Sequence, residues 1–226
     1  RVANDLYHRD GILNVPVQLE RDLHVAAAAN GGNGSITFLG GGEQRYHVAG
    51  GSGRTAAFIV DKASGVLGPA LGVTSLSTQG FVLQRGTFIA PNGNFSIGGT
   101  WTVSRMLFQH VAGDFLHNDG LITFDPYNTQ AAVLTWTVDV LPITSFYDMV
   151  INAFDQSTPS LFATGTGDEL TMERHFTHAD GQLEGRFAVK GDLQVAVAAG
   201  GGTGMIRVIG TGDQFYRCTS AASRTC

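Results

Sequence analysis

The chain has 226 residues, 31 of them glycine; 43% are hydrophobic and only 15% are charged. The apolar share supplies a sizeable core and argues against intrinsic disorder. A net charge of −5 with 14 Lys+Arg argues against a nucleic-acid or anionic-membrane surface, which needs a basic patch, and no apolar run approaches the roughly 18 residues of a membrane span.

The sequence starts at Arg1 with no secretory h-region after it, so a targeting segment is expected to have been removed. Apolar–polar alternation of period two then predicts strands at residues 35–39, 55–60, 81–85, 94–97, 100–103, 121–124 and 132–138. Trp101 and Trp136 fall in these strands and are read as core anchors. One segment breaks the pattern near residues 146–155, where Phe146, Met149, Val150 and Ala153 share a helical face. Ser145 is placed to cap it and Asp148 to supply the acidic third residue, which predicts one short helix. Strands resume at residues 169–173, 185–189 and 205–209. Asp10-Gly11, Asn33-Gly34, Asn92-Gly93, Asp119-Gly120 and Asp180-Gly181 separate them and are read as tight hairpins. The expected fold is all-β: an antiparallel barrel or sandwich, one domain over residues 1–226.

Residues 10–46 align without a gap on residues 180–216, an offset of 170, with 17 of 37 positions identical. Glycine and alanine inflate that count. They do not explain Asp22-Leu23 with Asp192-Leu193, Gln44 with Gln214, Tyr46 with Tyr216, or His8 with His178. A weaker copy falls near residues 96–124, where His24-Val25-Ala26 matches His110-Val111-Ala112. The domain is therefore read as built from internal repeats.

Gly31-Gly32-Asn33-Gly34 and Gly200-Gly201-Gly202-Thr203-Gly204 are not phosphate loops, because no Lys-Ser/Thr and helix follow. Gly takes positive φ without strain, so turns and bulges are the better reading. Tyr46-His47-Val48-Ala49-Gly50-Gly51-Ser52-Gly53-Arg54-Thr55-Ala56 resembles the strand–GG(S/T)G–strand segment of allene oxide cyclase and dirigent-like proteins, as does Ala198-Ala199-Gly200-Gly201-Gly202-Thr203-Gly204. The resemblance implies an antiparallel barrel with an apolar cavity that binds or cyclises a small hydrophobic molecule. It places no active-site residue on this chain.

No catalytic motif names a reaction, and no cofactor is expected. Glu173, His175 and His178 cluster in sequence, but on a strand His178 points away from the other two, which is poor metal-ligand geometry. Asp114 with Asp119, and Asp168 with Glu169, are carboxylate pairs that a glycosidase would need held across a cleft. The only cysteines, Cys218 and Cys226, fit a small disulfide loop in an oxidising compartment, outside the cell or on its surface.

Sparse charge, as in the core of an interface, together with the repeats, points to a non-catalytic, self-assembling subunit such as a filament, sheath, surface layer or capsid-like shell. Its partners would be copies of itself. The last copy reaches Arg224-Thr225, in register with Arg54-Thr55, and lacks the strand that follows the first copy. The N-terminal stretch with Val2, Leu6 and Leu13 is the segment expected to fill that vacancy, either from the same chain, closing a barrel, or from the next copy by strand addition.

Overall fold

The computed structural model describes residues 1–49, 53–155 and 160–219. The strands in chain order begin with β1 (Leu6–Gly11), β2 (Pro16–Leu19), β3 (Leu23–Phe38), β4 (Gln44–Val48), β5 (Arg54–Pro69), β6 (Ser75–Thr78), β7 (Phe81–Ile89) and β8 (Asn94–Trp101). They continue with β9 (Arg105–His110), β10 (Asp114–Leu116), β11 (Leu121–Asn128), β12 (Thr135–Asp139), β13 (Ser145–Phe146), β14 (Asp148–Asn152), β15 (Phe154–Asp155) and β16 (Leu161–Thr164). The last are β17 (Glu169–Met172), β18 (Phe176–Glu184), β19 (Arg186–Val189), β20 (Leu193–Val195), β21 (Ala199–Gly202), β22 (Met205–Val208) and β23 (Tyr216–Cys218). Their pairings are parallel and the chain coils as a β-solenoid of about eight turns. Two compact units divide it: Arg1–Ile97 with Gln109–Gly120, and Gly98–Phe108 with Leu121–Cys226.

In the first unit, each rung lies in register under the next. Leu6 pairs with Leu23 and Leu23 with Tyr46. Leu19, Phe38, Val60 and Leu83 form one column of successive partners, all fully buried. Side chains alternate in and out along a strand, so stacking in register puts the same face inward on every rung. Aromatic contacts thicken this core, with Phe38 and Phe58 at 4.8 Å and Phe81 and Phe88 at 4.6 Å between ring centroids.

The second unit is built the same way. Met149, Phe176, Leu193 and Tyr216 are successive partners. Phe146, Met172, Val189 and Val208 make a second column in a separate sheet. The alignment found in the sequence has a structural counterpart here. Leu6, Leu23 and Tyr46 correspond to Phe176, Leu193 and Tyr216, each pair 170 residues apart and each set joined by the same two steps in register.

The side chains that resisted a compositional explanation are corner pins. His8 Nε2 donates to Gly11 O at 3.0 Å, and His178 Nε2 to Gly181 O at 2.9 Å. Gly11 and Gly181 each donate their N–H to the preceding aspartate, Asp10 and Asp180, at 2.7 Å. Gln44 Nε2 donates to Leu19 O and Arg21 O at 3.3 and 2.7 Å, and Gln214 Nε2 to Val189 O and Gly191 O at 3.5 and 3.0 Å. Asp22 Oδ1 accepts from Arg45 N, and Asp192 Oδ1 from Phe215 N, at 2.8 and 2.9 Å. His110 makes the same bond to Gly113 O at 3.0 Å and is buried. It therefore plays the part of His8 and His178, not that of His24.

Several sequence expectations are corrected. The antiparallel barrel or sandwich is replaced by the parallel solenoid, so the barrel implied by the allene oxide cyclase and dirigent resemblance is not the fold. Period-two alternation is the same for strands that return by hairpins and for strands that return by a full coil. Asp10-Gly11 and Asp180-Gly181 lie inside β1 and β18 as bends, with Gly11 and Gly181 at φ +71° and +85°. Asn33-Gly34 lies within β3. The helix near 146–155 is β13, β14 and β15, and no helix occurs among the described residues. A corner at Tyr147 separates two strands that each alternate, so Phe146, Met149, Ile151 and Ala153 are buried. Three of these mimic a helical face. Ile151, which a helix would leave off that face, is fully buried, and Val150 is not.

The N-terminal stretch closes no barrel: β1 lies along β3, and Val2 bridges Leu19. Arg224, Thr225 and Cys226 lie outside the described residues, and with them the expected Cys218–Cys226 disulfide; Cys218 ends β23. No helix among the described residues is long and apolar enough to cross a membrane.

Candidate functional site

The outward positions of the first unit carry the most distinctive side chains. β1, β3 and β4 pair so that Leu6, Leu23 and Tyr46 point in, which puts Tyr7, His24 and His47 on the outer face in register. Their rings stack. Tyr7 and His24 are 4.3 Å apart at 9° between planes, and His24 and His47 are 4.2 Å apart at 10°. The Arg9 guanidinium lies 5.7 Å from the Tyr7 ring centroid, within cation–π reach.

Two aspartates hold this ladder from one side. Asp5 precedes β1 and Asp22 precedes β3, so each carboxylate reaches the rung above. Asp5 Oδ1 accepts from Asp22 N at 3.2 Å, while its Oδ2 is 3.7 Å from His24 Nε2. Asp22 Oδ1 accepts from Arg45 N, and its Oδ2 is 3.5 Å from His47 Nε2. One carboxylate thus satisfies a backbone N–H where a strand begins and turns the Nε2 edge of an imidazole toward itself. On the other side, Ala26, Val48 and Ala49 with the turn Leu71-Gly72-Val73 border an open groove of about 580 Å³.

The second unit has a groove of about 310 Å³ lined by His175, Thr177, Asp192, Gln194, Phe215 and Arg217 among others; it borders the equivalent ladder positions, but on the side of Asp192, the counterpart of Asp22. Offset by 170, Thr177 stands where Tyr7 does, Gln194 where His24 does, Arg217 where His47 does, and His175 where Asp5 does. Asp192 repeats the role of Asp22. The scaffold is kept and the outward side chains are changed.

Other expected constellations come apart. Glu173 pairs with Lys190, His175 lies beside Asp192, and His178 turns inward to Gly181. Among the described residues, no group of three or more His, Cys, Asp or Glu is arranged to hold a metal ion. Glu169 pairs with Arg207 at 2.6 Å and not with Asp168. Burial, opposed by the Val140 N–H and reinforced by the neighbouring Asp139, raises the Asp168 carboxyl above the ordinary carboxylate range. Asp114 accepts from Thr87 Oγ1, whereas Asp119 sits in a turn at φ +53°. Trp101 and Trp136 are buried.

Of the residues expected at an assembly edge, Leu6 is a rung position. Leu13 is a corner, donating its N–H to Gly31 O and accepting from Gly34 N. Sequence reading missed the Tyr7–His24–His47 ladder. Its signal was there: the steps of 17 and 23 residues that align Leu6, Leu23 and Tyr46 also align these three. In comparisons with family models, curated proteins and solved structures, the chain matches none.

Proposed function

We infer that the chain is a non-catalytic structural β-solenoid, extracellular or on a cell surface, that associates with copies of itself. One observation carries the reading: only 15% of the residues are charged, and interface cores are depleted of charged groups.

The two cysteines near the end of the sequence support the oxidising compartment. Sedimentation velocity over a dilution series tests association. The expected result is reversible growth in mass with concentration. A monomer throughout, up to about 0.1 mM, overturns it.

A further inference from the structure

We propose that the outer groove beside Tyr7, His24 and His47 binds an acidic saccharide, and that the groove bordering Thr177, Gln194 and Arg217, on the other side of the equivalent ladder, takes a ligand of the same class. The inference is independent of whether copies of the chain assemble.

The first support is how charge is placed. Each groove holds one guanidinium, but from a different repeat position. Arg9 stands where the second unit has Ala179, and Arg217 stands where the first has His47. A guanidinium at a groove wall suits a carboxylate or sulfate, which it meets with two parallel donors. In the first unit the nearby carboxylates are already engaged. Asp5 and Asp22 each spend one oxygen on a backbone N–H and turn the other to an imidazole.

The second support is the hydrogen-bonding character of the walls. The Tyr7 hydroxyl, the imidazoles, the Thr177 hydroxyl and the Gln194 amide offer both donors and acceptors. That mixture matches a ligand dense in hydroxyls, each of which also donates and accepts. The ring faces of His24 are covered by Tyr7 and His47, so the ladder presents ring edges, stepped by 4.2–4.3 Å along the stack. With Nε2 turned to the aspartates, Nδ1 of each imidazole is left for the ligand. Leu71 and Val73 across the groove offer an apolar wall for the C–H surface of a sugar ring.

A peptide that binds by strand addition fits this place less well. Such a ligand needs a free backbone edge, and β3 here is paired on both sides, with β1 and β4. At His24 recognition must therefore run through side chains.

The test uses the intact chain at a concentration where its mass is constant. Binding is measured by calorimetry and by NMR shifts of the His24 and His47 ring protons. The probes are an oligogalacturonate, a sulfated oligosaccharide of similar length, and a neutral maltooligosaccharide. The expected result is binding of an anionic probe with ring shifts at His24 and His47, weakened about tenfold or more by Arg9→Ala. Arg9→Ala should leave the ring stacking and the melting temperature unchanged. Arg217→Ala should remove a second, separate binding event and leave those ring shifts in place. Preference for the carboxylated or the sulfated probe assigns the anion. Equal binding of the neutral probe, or no ring shifts with either anionic probe, overturns the proposal.

Discussion

At the scale of single residues, backbone crowding separates glycines that look alike in sequence. Gly32 has φ +119°, and a Cβ there would lie 2.4 Å from Leu13 O; Gly202, its repeat counterpart, has φ +113° and would meet Leu183 O at 2.1 Å. The glycine-rich motif thus lets one rung pass close beneath the corner of another. Gly11, at φ +71°, has open space where its Cβ would go. Gly32→Ala is expected to cost about 3 kcal/mol or more, and Gly11→Ala about 1–2 kcal/mol from backbone strain alone. Urea denaturation of the two variants checks the order. Equal costs would mean the close approach to Leu13 does not matter.

The corner histidines make a second residue-scale prediction. Burial holds the His178 imidazole below its ordinary value of 6.5, against the opposing bond to Gly181 O. Burial does the same for His110, opposed by Gly113 O and the Asp114 carboxylate. The folded state disfavours the charged ring, so the unfolded chain binds protons first as pH falls. Stability should therefore drop below pH 6.5 until the folded state is protonated too, by at most about 1.4 kcal/mol per pH unit for each histidine. His110→Gln with His178→Gln keeps a side-chain donor toward each carbonyl and should flatten that slope. An unchanged slope in denaturation curves at neutral and mildly acidic pH would assign the effect to other groups.

At the scale of elements, what joins one rung to the next is partly a set of buried polar side chains. Gln44 is 2% exposed and ties β4 to the corner after β2 through Leu19 O and Arg21 O. Its Oε1 accepts from Lys62 Nζ at 2.6 Å, and burial holds that ammonium below the ordinary lysine range. Gln44→Leu takes the amide from Arg21 O and leaves a buried amine without its acceptor, while Leu19 O keeps the Leu39 N–H, so a loss of about 2–4 kcal/mol is expected. Gln214→Leu, where no such amine is joined to the glutamine and the site is half-buried, should cost about 1 kcal/mol. Thermal melts of the two variants check the ranking.

The same elements show what the sequence could disclose. Strand existence was legible because inward residues alternate, as in Phe58 and Val60 on β5 or Trp136 and Val138 on β12. Strand direction was not, because alternation says nothing about whether the chain returns by a hairpin or by a coil. The repeat was legible through Asp22, Gln44 and Tyr46 because each has one backbone-directed or core task that few residues perform. The ladder was not legible as a site. Tyr7, His24 and His47 meet only once the register of β1, β3 and β4 is known.

At the scale of the whole molecule, a solenoid is nearly one-dimensional, and each rung is stabilised chiefly by its immediate neighbours. Protection against hydrogen exchange should follow that rule within each unit. In the first, β5 and β7, flanked by the buried column through Leu19, Phe38, Val60 and Leu83, are expected to exchange slowest, and β1 faster. In the second, β14 and β18 should be slow, whereas β22 and β23 should be fast, because Val208 and Tyr216 lie exposed at the outer side of their columns. Uniform protection across the strands of either unit would mean that it opens as a whole and not rung by rung.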